Sequence, residues 1–387
     1  MDITLLPGTL HGTVTAPPSK SMAHRLLICA AFAGRSCQLI LTRVNEDTAA
    51  TAEGLNRLGA SILRTEEGYA MEPCKRTGHR APVHINCHES GSTLRFLLPI
   101  VGALGIDTIF EMEGRLSQRP LSPLWQEMER MGCHLSRPAA DTIRCTGKLR
   151  PGAYRMDGSV SSQFISGLMM ALPLIEGETS LEITGDPESK PYIEMTRYVL
   201  DLMKNGCPQR IEAEGDWSSA AFWLAANGLG SCVSVEGLNP LSPQGDRKIL
   251  DILPKLAENP TISCKDIPDL VPVMAVVAAA KQGATFTDIR RLRMKESDRV
   301  ASVVAMIERL GGKAAATENT LTVYGTGLVG GTVDSFGDHR IAMAAAIAAT
   351  VCKGSVTILG ADCVKKSYPG FWDDYRRLGG NYGEFLW

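Results

Sequence analysis

Six stretches of the chain are apolar on nearly every side: 26–32, 94–101, 165–174, 220–226, 271–279 and 341–349. Helices of that kind are buried ones. The pattern predicts six of them, beginning near Ser21, Ser92, Ser161, Ser218, Asp269 and Asp338, each at a Ser or Asp suited to capping. Between them lie six amphipathic segments, 54–59, 125–132, 198–206, 249–259, 304–311 and 372–379. Five of these end in Gly, the residue that closes a helix in the left-handed conformation at least steric cost. Short alternating strands, such as 320–324, follow most of the full-length units.

The alternation is a repeat. Gly59, Gly132 and Gly206 recur at intervals of 73 and 74 residues, and Gly311 and Gly379 at 68. The two central intervals, Gly206 to Asn259 and Asn259 to Gly311, are only 53 and 52. Each is short by roughly 20 residues, the size of two strands and their turns; the gaps follow Cys207 and Asn259. The chain therefore reads as an α/β protein of six strand–helix–strand–helix–strands units, three per domain. At 387 residues it exceeds what one hydrophobic core usually serves, which agrees with two domains. The expected crossovers are Pro17-Pro18 and 212–216.

Composition narrows the function classes. A net charge of −2 supplies no basic field for nucleic acid or an anionic membrane, so any anion site must be local. The longest apolar runs, near 271–280 and 341–351, are too short to span a bilayer. Eleven scattered cysteines without a C-x-x-C pair predict free thiols, and the N-terminus shows no secretory pattern; a cytoplasmic protein is expected. Gly325-x-Gly327-x-x-Gly330 matches a dinucleotide fingerprint, but no helix is predicted after it, so a turn between strands is the better reading. The seven His are dispersed, which predicts no metal site.

The chemistry gathers at the starts of the six buried helices. A helix N-terminus offers unpaired N–H groups and about half a positive charge, a natural anion site. Here those starts also carry Lys20-Ser21 and Arg25, Gly91-Ser92 and Arg95, Ser161-Ser162-Gln163, Asp269, and Asp338-His339-Arg340. Further polar groups lie on the segments 115–120, 189–192, 291–299 and 365–369. Any one of these taken alone is a surface cation or a cap. Taken together, with Arg95 and Arg340 beside apolar runs, they point to one shared anionic pocket.

Pro18-Ser-Lys20-Ser21-x-x-x-Arg25, Ser90-Gly91-Ser92-Thr-Leu-Arg95, Arg119-Pro120, Ser161-Ser162-Gln163 and Ser189-Lys190-Pro191-Tyr192 follow one another in the first half. Ile267-Pro268-Asp269, Lys295-Glu296-Ser-Asp298-Arg299, Asp338-His339-Arg340 and Lys366-Ser-Tyr-Pro369 follow in the second. In this order, over about residues 6–375, the chain resembles the EPSP synthases (3-phosphoshikimate 1-carboxyvinyltransferases). The resemblance implies a two-domain inside-out α/β barrel of six βαβαββ repeats. One domain would comprise 1–18 with 213–387, the other 19–212, with substrates in the cleft between them.

It also implies roles. Lys20, Gly91, Arg119, Gln163, Arg299, Arg340 and Lys366 would receive phosphoenolpyruvate, with Arg95, Asp338 and His339 as supports. Lys20, Ser21, Arg25, Ser161, Ser162, Gln163, Ser189, Tyr192, Asp269 and Lys295 would hold shikimate 3-phosphate. Asp269 would take the proton of its 5-hydroxyl, Glu296 would protonate the methylene carbon, and Lys20 would assist. No cofactor and no metal are implied, since no phosphoryl group passes to an acceptor. A monomer is expected, with no nucleic-acid or membrane partner. The two shortened units depart from the family pattern: losing paired strands bares sheet edges, which points to a less stable or oligomer-dependent enzyme. Glu89, Phe96 and Arg291 stand where Asn, Pro and Asn are common. The sister family, which uses UDP-N-acetylglucosamine, carries a reactive Cys on the loop that corresponds to 114–120, and none is present here. A non-catalytic binder is the other alternative, against which the intact acid, base and cations argue.

Overall fold

In a computed structural model, which describes residues 1–75 and 81–385, all six amphipathic segments end as their sequence requires. Gly59, Gly132, Gly206, Gly311 and Gly379 each take a positive φ, and Asn259, which stands where the others have Gly, takes φ 51°. Asn tolerates that region through its short polar side chain. The corresponding helices are Glu46–Arg57, Leu124–Arg130, Lys190–Met203, Arg299–Arg309 and Phe371–Arg377. The segment 249–259 differs. It is broken into the single turn Ile249–Ile252 and a 3₁₀ turn, Lys255–Ala257, because Pro254 has no N–H to donate.

The buried helices are Lys20–Phe32, Gly91–Leu104, Ser162–Ala171, Trp217–Gly228, Val271–Ala280 and His339–Ala349. Ser161 and Asp338 cap theirs through the side chain, as expected. Two caps lie two residues earlier than predicted: Ser90 accepts from Thr93 N, and Asp216 from Ser219 N. Ser92 and Ser218 sit instead within the first turn, where a hydroxyl is free to face another group. Asp269 does not cap; it lies in the 3₁₀ turn Pro268–Leu270 that leads into Val271–Ala280.

The chain divides into two compact units, Met1–Ser19 with Glu214–Trp387, and Lys20–Ala213. Within the first, the segments at its two breaks pair: Asp216 N donates to Pro17 O at 2.8 Å and Ser19 N to Glu214 O at 2.8 Å. Gln244 braces them, donating to Gly215 O and accepting from Trp217 N. Among the described residues each unit has two four-stranded sheets and one two-stranded sheet. The strands Val83–Asn86 and Thr108–Glu111 run parallel, and Thr142–Gly147 and Cys133–Ser136 extend that sheet antiparallel. Thr261–Ser263, Gly283–Thr287, Thr320–Tyr324 and Lys313–Ala316 repeat the pattern in the other unit.

The shortened repeats are the two-stranded sheets. Gly152–Asp157 pairs parallel with Thr179–Thr184, and His11–Thr15 with Cys232–Glu236; among the described residues neither has the antiparallel pair. The outer sheets are closed by strands from far along the chain. Asp2–Leu5 enters between Val356–Leu359 and Tyr382–Phe385, and Arg210–Glu212 joins Cys37–Ile40. Residues 325–330 connect two strands and precede Gly331–Asp334, which is a strand and not the helix a dinucleotide site needs.

In the unit Lys20–Ala213, the helices Gly91–Leu104 and Ser162–Ala171 approach closely at Gly167. Pro99, inside the first helix, has no N–H for the carbonyl of Arg95, and that carbonyl points at the Gly167 backbone. A Cβ at Gly167 would collide with Arg95 O and lie 3.0 Å from Pro99 Cγ. Gly167→Ala is therefore expected to lower unfolding stability by about 1–3 kcal/mol in urea titrations. An unchanged midpoint would mean that the helices separate without cost.

Candidate active site

In the unit Lys20–Ala213 the polar helix starts are tied together by side chains. Arg95, almost fully buried, donates through Nη1 to Gln163 Oε1 at 2.7 Å and through Nη2 to Pro120 O at 3.1 Å. Gln163 Nε2 donates to Ser92 Oγ at 3.0 Å. The starts of Gly91–Leu104 and Ser162–Ala171 are thus joined, and the 115–120 loop is fixed to them. A Cβ at Gly91 would lie 2.7 Å from Arg119 Nη1 and 2.8 Å from Arg95 Nη1. Two guanidinium groups therefore converge where this residue has no side chain. Arg119 Nε is buried without a hydrogen-bond acceptor. A buried donor left unpaired is costly, and an anion would relieve that cost.

Arg25 is placed more deeply, at 2% exposure. Its Nε donates to Thr196 Oγ1 (2.7 Å), Nη1 to the Ser21 carbonyl (2.7 Å) and Nη2 to the Tyr192 carbonyl (2.9 Å). Its guanidinium also lies over the Phe96 ring, 5.1 Å from the centroid. Burial lowers its pKa to about 10, which leaves it charged at neutral pH. Arg25 thus holds the Lys20–Phe32 helix to Lys190–Met203. Ser189, at the entry to the latter helix, has φ 56° and is buried, a strained position for a non-glycine residue. Lys20 Nζ forms an ion pair with Asp47 Oδ2 at 2.9 Å. Ser161 and Ser162 begin the Ser162–Ala171 helix beside Gln163.

In the other unit the centre is Arg299, only 1% exposed, with three carboxylates around it. Its Nη1 donates to Asp269 Oδ1 (2.5 Å), Nη2 to Glu296 Oε2 (2.7 Å) and Nε to Asp338 Oδ2 (2.8 Å). Burial works against its charge, but Asp338, Glu296 and Asp269 outweigh burial and hold it firmly protonated. Asp338 serves twice more, accepting from Arg340 N as the helix cap (3.0 Å) and from Ser297 Oγ (3.0 Å). Asp269 also meets Arg340 Nη2 at 3.1 Å and Lys295 Nζ at 3.5 Å. Burial would raise the Asp269 carboxyl, yet Arg340, Lys295 and Arg299 together hold it well below the usual carboxylate range. Burial pulls the Lys295 ammonium down to about 8. Lys366 Nζ donates to Gly337 O at 3.0 Å, next to the start of His339–Ala349, and the His339 side chain is buried there.

The sequence reading missed Asp47, Ser297 and Asp246. Asp47 reads as an ordinary first-turn acid of Glu46–Arg57. Asp246 stands in Gln244-Gly245-Asp246, a triplet with no periodic or capping signal. It is buried, accepts from Ser218 Oγ, and its Oδ1 has no hydrogen-bond partner. Burial, reinforced by the negative charge of Asp269 and opposed by Arg340, raises its pKa to about 7. Among the described residues no three His, Cys, Asp or Glu are grouped as a metal site would need.

Two expected outcomes follow from this geometry. Replacing Arg299 by Leu strands three carboxylates and should cost about 3–5 kcal/mol of unfolding free energy. A loss below about 1 kcal/mol in urea titration would show that the carboxylates find other partners. For Asp246, an unfolded pKa of about 3.9 against about 7 in the native state means that the native state binds the proton more tightly. Its contribution to stability therefore falls as pH rises from about 4 to 7. Asp246→Asn should raise the melting temperature relative to the parent more at pH 8 than at pH 4.5; an equal difference at both would refute the buried, protonated carboxyl.

With this geometry in hand, comparison with known proteins gives a consistent result. A family model described as EPSP synthase (3-phosphoshikimate 1-carboxyvinyltransferase) matches residues 6–261 and 258–375. The 3-phosphoshikimate 1-carboxyvinyltransferase of Clostridium kluyveri is 36% identical over 420 residues, covering 99% of this chain and 98% of that one. Because 420 exceeds the chain's own 387 residues, the relative carries residues without a counterpart here. The protein of the same name from Clostridium acetobutylicum is also 36% identical, over 99% and 98%. The solved EPSP synthase of Acinetobacter baumannii superposes with a TM-score of 0.79 at 23% identity, over 99% of this chain and all of that one. The enolpyruvyl transferase NikO of Streptomyces tendae gives 0.76 at 17%, over 99% and 98%; both likenesses are of fold. The chain belongs to the EPSP synthase family of 3-phosphoshikimate 1-carboxyvinyltransferases and is an enzyme of the transferase class.

Proposed function

We propose that the chain transfers the enolpyruvyl group of phosphoenolpyruvate to the 5-hydroxyl of shikimate 3-phosphate. The products are phosphate and 5-enolpyruvylshikimate 3-phosphate, a step of the shikimate pathway. The observation that carries this reading is that one buried guanidinium, Arg299, holds both Asp269 and Glu296. An acid and a base are what addition to an enol phosphate requires. The methylene must gain a proton before the enol carbon becomes electrophilic, and the attacking hydroxyl must lose one.

In this reading Glu296 gives its proton to the methylene carbon as the 5-hydroxyl oxygen bonds to the enol carbon, and Asp269 takes the hydroxyl proton with Lys20 assisting. The tetrahedral ketal phosphate then breaks its C–O bond to phosphate, the methyl group returns a proton to Glu296, and the double bond re-forms, now as the enol ether of the product. Both substrates are anions, so cations must offset their repulsion and stabilise the departing phosphate. Lys20, Arg119, Arg299, Arg340 and Lys366 receive phosphoenolpyruvate, with Gly91 leaving room and Gln163 donating. Ser21, Ser161, Ser162, Ser189, Tyr192 and Lys295 hold shikimate 3-phosphate. Arg25 acts on it through its charge and through the Ser21 and Tyr192 carbonyls it fixes. The unpaired Arg119 Nε and the side-chain-free Gly91 support the first assignment. The eleven free thiols support a cytoplasmic setting.

Purified protein given phosphoenolpyruvate and shikimate 3-phosphate, without added metal, should release phosphate only when both are present. Glu296→Gln and Asp269→Asn should each reduce turnover by about 10²–10⁴-fold with the fold retained by circular dichroism. Release from either substrate alone, or wild-type turnover in either variant, would overturn the reading or that residue's role.

A further inference from the structure

Among the described residues the strand Thr179–Thr184 is an edge where its counterparts are not. Thr108–Glu111, Gly283–Thr287 and Val356–Leu359 occupy the same place in their repeats, and each is followed in its sheet by an antiparallel neighbour. The side chains they turn inward, Phe110, Phe286 and Ile358, are fully buried. Those of Thr179–Thr184, Leu181 and Ile183, are packed on the core yet only partly buried. The strand has none of the usual protections of an edge: it contains no Pro and no Lys, and its one charge, Glu182, is paired with Arg155 of the adjoining strand at 3.0 Å. The other edge bared by a missing pair, Cys232–Glu236, is shorter, and its Val233 is already buried, so less of it requires cover.

We propose that Thr179–Thr184 pairs antiparallel with the same strand of a second copy of this chain, which takes the place of the missing strand and makes the protein a two-fold dimer.

Charge and apolar cover together select the register. In an antiparallel pair, residues directly opposite share a face, so a two-fold pairing must centre on a residue. Centring on Glu182 sets two carboxylates against each other, which is unfavourable. Centring on Leu181 sets Leu181 against its twin, Thr179 against Ile183, and Ser180 against Glu182, so that each carboxylate faces a hydroxyl donor. The two partly buried apolar side chains of each copy are then covered further by those of the other. This replaces the monomer expected from the sequence with an isologous interface.

Sedimentation equilibrium of the full chain over a dilution series is the test. The parent should run at twice its 41.7 kDa. Leu181→Lys sets two ammonium groups against each other on the two-fold axis, and Leu181→Glu two carboxylates; each variant alone should run at the mass of one chain. Mixed in equal amounts they should return to the doubled mass, which also shows that both are folded. A parent that stays at 41.7 kDa overturns the proposal and leaves the edge bare or reserved for a different protein. A dimer that survives in either variant overturns it by placing the contact elsewhere.

Discussion

The carboxylate cluster around Arg299 depends on one charge that could not be buried alone. A guanidinium at 1% exposure is tolerable only among carboxylates, and Asp269, Glu296 and Asp338 supply them from three separate elements of the chain. Because Arg299 bonds all three, the 3₁₀ turn at Pro268–Leu270, the start of Arg299–Arg309 and the start of His339–Ala349 are fixed relative to one another. Asp338 adds the cap, so the field of the last helix is aimed by the same carboxylate that anchors the arginine. Holding Asp269 and Glu296 to one cation sets the separation of these two carboxylates, although Glu296 lies in the irregular stretch just before Arg299–Arg309.

Much of this was legible in the sequence. The buried helices announced themselves through runs with no polar side, and the left-handed terminations through Gly at a repeating interval. Asn259 shows that the constraint belongs to the position, since a residue other than Gly adopts the same backbone there. The missing strand pairs could be counted from the shortened intervals, and the two-stranded sheets are where the count put them. What the pattern left open were the caps, because Ser90 and Ser92, or Asp216 and Ser218, satisfy the same local rule; only the course of the backbone decides between them. The segment 249–259 was also overread, as its apolar spacing hid the effect of Pro254.

Candidate site residues are marked in the sequence where a cation stands beside or within an apolar run, as at Arg95 and Arg340, and where a motif gathers several polar groups. Asp246 had neither signal. Its pKa comes from burial against Asp269, a neighbour made by folding and 23 positions away in sequence. The same holds for the contact of Gly91 with two guanidinium groups: a glycine before a serine reads as a turn, and only the converging arginines show that the space it leaves is structured.

The paired segments at Pro17 and Asp216 make Lys20–Ala213 an insertion whose two ends emerge side by side. This orders events on the ribosome. The insertion holds all of its own strands and can complete its sheets while the rest of the chain is still being made. The strand Asp2–Leu5, made before the insertion, has its partners at Val356–Leu359 and Tyr382–Phe385. At roughly 5–20 residues per second it waits about 20–70 seconds for them, so a strand made before the insertion finds its sheet only after the insertion is complete.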